Sequence, residues 1–141
     1  MDNLTKPRKK RVVVFGIFDG VHKGHRSLFS QAKQHGDELI VIVGRDSSSI
    51  QWKEKKPKHN EKERLKLVSK ELGVDLAVLG DEEQSSYKVL EELSPDVICL
   101  GYDQDSLEQD LILWLAQKGK KTPLFRLQPF EPSVYHNSFR A

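Results

Sequence analysis

Apolar residues occur in short runs separated by polar, glycine-bearing stretches. The first run, Val12-Val13-Val14-Phe15, is continuous rather than alternating, as expected for a strand covered on both faces. It predicts β-structure over residues 11–15. Leu28, Phe29 and Ala32 then recur at helical spacing and predict a helix over residues 22–34, with Gly36 as its stop. Residues 38–43, Glu-Leu-Ile-Val-Ile-Val, read as a second buried strand. Asn60 with Glu63 three positions on has the form of a capping box. The helix it opens carries Arg64, Leu65, Leu67, Val68 and Leu72 and is predicted to stop at Gly73. Residues 76–79 form a third strand, closed by Gly80, and residues 85–93 a short helix broken by Ser94-Pro95. Residues 97–100 are a fourth strand. Leu107, Leu111, Trp114 and Leu115 place one apolar face on a helix over residues 106–118, ended by Gly119, and residues 124–127 close the series as a fifth strand.

Strands alternating with helices call for an α/β fold. The expected architecture is a doubly wound, five-stranded parallel sheet of Rossmann-like type with right-handed crossovers. With strand order 3-2-1-4-5, the first and fourth strands are neighbours, and ligands bind beyond their C-terminal ends, where the order reverses. Residues 16–25 would then face residues 101–104 across a crevice. The chain divides into a basic lead-in, residues 1–10, and a single domain, residues 11–141.

Composition narrows the partners. The 141 residues suit one domain, with 37% hydrophobic and 31% charged residues. A net charge of +2 supplies no global field for nucleic acid. The basic run at residues 6–11 is read as a solvated lead-in rather than a nucleic-acid patch. The single cysteine, Cys99, lies in an apolar run; it excludes an internal disulfide framework and is expected to be a buried, inert thiol. No apolar stretch approaches membrane-spanning length, and the cytoplasm is the expected compartment. A second basic cluster, Lys53, Lys55, Lys56 and Lys58, follows the second strand. It is either a solvated run or a loop that closes over phosphates.

The candidate chemistry lies in Gly16-Ile17-Phe18-Asp19-Gly20-Val21-His22-Lys23-Gly24-His25, between the first strand and the first helix. A helix start offers unpaired amides and the positive end of the dipole. Glycines let the turn tighten and let a ligand approach the backbone. His22 and His25 lie three apart, on one side of a forming helix, with Lys23 between them. Such donors suit a phosphoryl group gaining charge in its transition state. Taken singly, each histidine could equally be a surface or capping residue, and a two-histidine metal site lacks the three or four ligands that zinc needs. The stretch is neither a Walker loop nor the three-glycine dinucleotide fingerprint.

The pattern Gly-x-Phe-Asp-x-x-His-x-Gly-His after a first strand resembles the signature of the cytidylyltransferase-like (HxGH) nucleotidyltransferases. Within that family, the chain is most similar to the archaeal-type FAD synthases, which are FMN adenylyltransferases. The matching pieces are residues 36–43, Arg45-Asp46, the basic loop, Glu63-Arg64, residues 78–80 and Leu100-Gly101-Tyr102-Asp103-Gln104. The resemblance implies that an acceptor's phosphate attacks the α-phosphorus of a nucleoside triphosphate and pyrophosphate leaves. ATP and FMN are the implied substrates. The alternatives are CTP with a small phosphorylated alcohol such as glycerol 3-phosphate, or nucleotide binding without turnover. His22 and His25 would grip the triphosphate, and Lys55 or Lys56 and Arg64 would reach phosphates, with an ion pair to Glu61 or Glu63 as the other role open to Arg64. The nucleotide would lie along Gly16, Ile17, Phe18, Asp19, His22, Gly24, His25, Gly101, Asp103 and Ser138. Mg2+ is the implied ion, with Asp19 as the nearest carboxylate; Asp19 could instead cap the turn, and Asp103 the next helix. A homodimer is a further implication. The tail, Tyr135-His136-Asn137-Ser138-Phe139-Arg140, is shorter than the family's hydroxyl-bearing segment, and no helix is expected after it.

Overall fold

The computed structural model describes residues 9–47 and 57–130. Along it run β1 (Arg11–Gly16), α1 (Lys23–Lys33), β2 (Glu38–Val43), α2 (Glu61–Ser69), β3 (Leu76–Leu79), α3 (Lys88–Leu93), β4 (Val97–Leu100), α4 (Asp105–Gln117) and β5 (Leu124–Arg126). The strands form one sheet in the order β3-β2-β1-β4-β5, every pair parallel.

The two-residue period of each strand sorts its side chains into two cores. Val12, Val14, Leu39, Val41 and Val43 face Phe29 and Ala32 of α1 and Val68 of α2. Val13, Ile40, Ile42, Ile98 and Leu100 face Val89 and Leu90 of α3 and Leu107, Leu111, Trp114 and Leu115 of α4. The chain builds β1, β2 and β3 in one direction, then turns back to β4 and β5. With crossovers of one hand, that reversal moves the helices to the opposite face.

Several boundaries differ from the sequence expectation. Helix α2 ends at Ser69 rather than at Gly73, and Leu72 is 96% exposed. The left-handed Gly73 (φ +91°) belongs to the turn that follows. Gly36 does not stop α1 in a left-handed conformation. A Cβ there would lie 2.5 Å from Val12 Cγ2 and 2.8 Å from the Lys10 carbonyl oxygen, so this glycine admits close packing on β1. Helix α3 starts at Lys88 because Ser85 (φ 67°) and Tyr87 (φ 49°) are left-handed. Arg11, the last member of the basic run, is built into the sheet, its guanidinium bonded to Glu38 and to the Leu93 carbonyl.

Candidate active site

Strands β1 and β4 part early. They pair at Val12–Val97 and Val13–Ile98, whereas β1 and β2 stay in register to Gly16–Val43. Gln104 bridges the opening: its Nε2 donates to the Phe15 carbonyl (3.0 Å), and its Oε1 accepts from the Gly101 amide (2.7 Å). Above this divide lies a cleft of about 640 Å³, lined by Gly16, Ile17, Phe18 and His25 from the first turn and by Asp103 and Gln104 from beyond β4. The expected facing of residues 16–25 and 101–104 is thus realised.

The turn after β1 is shaped by Phe18. Its φ of 57° is unusual for a bulky side chain. The ring is buried and packs over Gly16, where a Cβ would come within 2.4 Å of it. It also meets the rings of Phe29 (centroids 5.4 Å apart) and His25 (5.0 Å, edge-on). A glycine at 16, a strained Phe18 and the seat of His25 are therefore one arrangement.

The two histidines cap the helix that carries them. His22, at the N-cap of α1, accepts the Gly24 amide on Nδ1 (3.0 Å), and His25 Nδ1 accepts the His22 amide (3.3 Å). Their rings stack, with centroids 3.8 Å apart and 23° from parallel. The cap reconciles the two roles open to these residues. With Nδ1 accepting, a neutral ring carries its proton on Nε2 as a donor. The pair thus offers two N–H groups beside the positive end of α1, a site suited to an anion.

Asp19 is committed to the segment before α2. Its carboxylate accepts the amides of Lys58 (2.8 Å) and His59 (2.9 Å), and Oδ1 lies 3.0 Å from His59 Nδ1. The Lys58 amide first, then the His59 contacts, hold its pKa down to about 2 against the opposing effect of desolvation. With three contacts already on this carboxylate, Asp19 fits a clasp better than a metal ligand. Among the described residues, no group of three or more His, Cys, Asp or Glu side chains is arranged to hold a metal ion.

Arg64 reaches neither the cleft nor its glutamate neighbours. Its side chain is wholly buried. Nε donates to the His59 carbonyl, Nη1 to the carbonyls of Ile17 (2.9 Å) and Gly44 (2.8 Å), and Nη2 to Asp46 (2.7 Å). Glu61 instead pairs with Arg45, and Glu63 caps Asn60. Arg64 therefore ties the first turn, the end of β2 and the start of α2 together from below. Asp103 is exposed on the cleft edge and does not cap α4, whose N-cap is Gln104. Gly101 lies beside it, with only ordinary contacts around a notional Cβ. Lys55, Lys56 and Ser138 lie outside the described residues.

Three contributors escaped the sequence reading. Gln104 was visible only as part of a motif. Tyr87 and Asp110 shape the far wall of the cleft: Ser85 Oγ (2.6 Å) and Tyr87 Oη (2.5 Å) both donate to Asp110 Oδ2. Burial, and then the neighbouring Asp110 carboxylate, push the Tyr87 pKa well above the usual tyrosine range.

A family model described as cytidylyltransferase-like matches residues 13–128. The chain belongs to the cytidylyltransferase-like family. Among its relatives, a protein named FAD synthase from Thermoplasma acidophilum is 40% identical over 91% of this chain and 89% of its own. Another FAD synthase, from Archaeoglobus profundus, is 42% identical over 91% and 81%. A crystal structure of a protein described as a lipopolysaccharide core biosynthesis protein, from Thermoplasma volcanium, superposes with a TM-score of 0.81 at 36% identity. It covers 88% of this chain and all of its own. The pantoate-beta-alanine ligase of Francisella tularensis shares only the fold, at a TM-score of 0.58 and 14% identity over 90% of this chain and 65% of its own. For a member of the cytidylyltransferase-like family, the self-capped histidine pair and the cleft over the β1–β4 divide are the features to which chemistry can be assigned. No helix among the described residues is long and apolar enough to cross a membrane.

Proposed function

We propose that this cytidylyltransferase-like protein is an FMN adenylyltransferase, joining FMN to the adenylyl group of ATP and releasing pyrophosphate. The observation that carries the reaction type is the stacked His22–His25 pair, with both Nδ1 atoms engaged by backbone amides. The choice of ATP and FMN rests on the FAD synthases that resemble most of the chain.

In this reading the triphosphate sits at the α1 N-terminus. The Nε2–H groups donate to its oxygens, more strongly as negative charge builds around the α-phosphorus. The FMN phosphate is already ionised at neutral pH, so no general base is required. One P–O bond forms to the FMN phosphate oxygen as the bond to the pyrophosphate oxygen breaks. Phe18 fixes the His25 ring, and the helix dipole adds to the donors. Asp19 and Arg64 hold the turn from behind. A divalent ion such as Mg2+, usual for phosphoryl transfer, would travel with the triphosphate and offset its charge.

Incubation of the purified chain with FMN, ATP and Mg2+, followed by chromatography, should yield FAD and stoichiometric pyrophosphate. Pyrophosphate release with CTP and glycerol 3-phosphate, and none with ATP and FMN, would overturn the assignment.

A further inference from the structure

The cleft is larger than a polyphosphate needs, and its two ends differ in chemistry. One end is the amide- and imidazole-lined turn. The other is apolar, floored by Phe15, Ile42, Val89 and Leu107, with Tyr87 as a wall. The edge of that second end carries Asp81 and Glu83. Arg45 lies beside them, bonded to the Gly80 carbonyl, and the Asp81 carboxylate accepts the Val89 amide; the apolar floor itself suits an uncharged ring.

The wall is strained. Ser85 and Tyr87, neither a glycine, are both left-handed, a conformation costly for such residues. In the same loop, the buried Ser86 Oγ has no hydrogen-bond partner among the described residues. Backbone in this state persists only where the surroundings over-determine it. Here the determinant is Asp110 on α4, outside the cleft lining, whose single Oδ2 takes the hydroxyls of Ser85 and Tyr87. Tyr87 is further wedged edge-on between Phe15 (centroids 6.2 Å) and Trp114 (5.5 Å).

We propose that the loop between β3 and α3 receives the planar ring of the phosphorylated acceptor, and that Asp110 is the positioning residue that sets this wall. The proposal rests on the FMN adenylyltransferase reading. The isoalloxazine of FMN has an apolar dimethylbenzene end and a polar pyrimidine end. The former matches the floor, and the latter matches the side-chain amide of Gln84, which also lines the cleft. The acceptor's phosphate would then extend toward the histidine pair.

The test compares the full-length chain with Asp110→Ala and Asp110→Asn. KM for FMN and KM for ATP are measured separately, with FMN affinity read from flavin fluorescence and folding from a thermal melt. Asp110→Ala should raise KM for FMN by about tenfold, the effect of a lost hydrogen-bond pair to a charged group, and leave KM for ATP within about twofold. Asp110→Asn, which keeps an acceptor oxygen, should recover most of the FMN affinity. If Asp110→Ala does not fold, the double variant Ser85→Ala, Tyr87→Phe carries the same expectation. An unchanged KM for FMN in a folded variant, or an equal rise for ATP, overturns the inference. Failure of the wild-type chain to make FAD overturns the underlying reading instead, so the two failures are distinguishable.

Discussion

The His22 ring occupies the space where a side chain on Gly24 would begin: a Cβ at position 24 would lie 2.9 Å from His22 Cε1 and 3.1 Å from Nδ1. The glycine between the two histidines therefore has a steric reason to be there. It lets the first imidazole fold back over the helix start and stack on the second.

Replacing Gly24 by Ala should separate stability from activity. Alanine favours the helix by up to about 1 kcal/mol over glycine. The histidine ring, as the movable end of a side chain, gives way before the backbone does. Turnover should fall by about tenfold or more while the melting temperature stays level or rises. A melt and a pyrophosphate assay on one preparation would check this.

His25→Ala should remove a donor used chiefly in the transition state. The expected loss is about 100-fold or more in kcat, with nucleotide affinity changed far less. Pre-steady-state turnover beside equilibrium nucleotide binding measures the two separately. Unchanged turnover would remove the role given to this ring.

Arg64→Met tests whether the buried guanidinium holds the fold or touches substrate. Removing it leaves the carbonyls of Ile17, Gly44 and His59 without this donor and breaks the pair with Asp46. The expected cost is about 3 kcal/mol or more in urea denaturation. A stable variant with lost turnover would instead put the guanidinium on a phosphate.

Asp19 predicts a pH dependence. Its pKa is depressed from 3.8 to about 2, so the folded state favours the ionised form. The stabilisation it gives is complete above about pH 4 and fades as pH falls toward 2, because the unfolded chain takes up the proton first. Denaturation of wild type and Asp19→Asn between pH 2 and 5 should show the gap between them closing over that range.

Cys99 should react with thiol reagents only as the chain unfolds. It is fully buried in β4, and burial pushes its pKa up to about 11. Its labelling rate should track the rate of unfolding across denaturant concentrations.

The strands were legible because continuous runs of β-branched residues mark the centre of a parallel sheet, and the histidine turn because glycines and imidazoles in that order are rare together. Arg64 was harder to place. It lies four residues before Val68, hence on the inward face of α2, whereas the family resemblance implies a contact with phosphates. The end of α2 was misplaced because Leu72 and Gly73 imitate a continuing apolar face and its stop. The wall of the cleft could not be read at all. It depends on Asp110 meeting Ser85 and Tyr87 across the fold, a pairing that leaves no periodic trace in the chain.

Two hydrogen bonds that set the imidazole pair, from the Gly24 amide to His22 and from the His22 amide to His25, fall within four consecutive residues. The proposed grip on the triphosphate is therefore a short cassette, steadied by Phe18, while the proposed acceptor wall is set by a different loop and a different helix. On that division, substitutions in the wall would alter the clientele and leave the histidine turn intact.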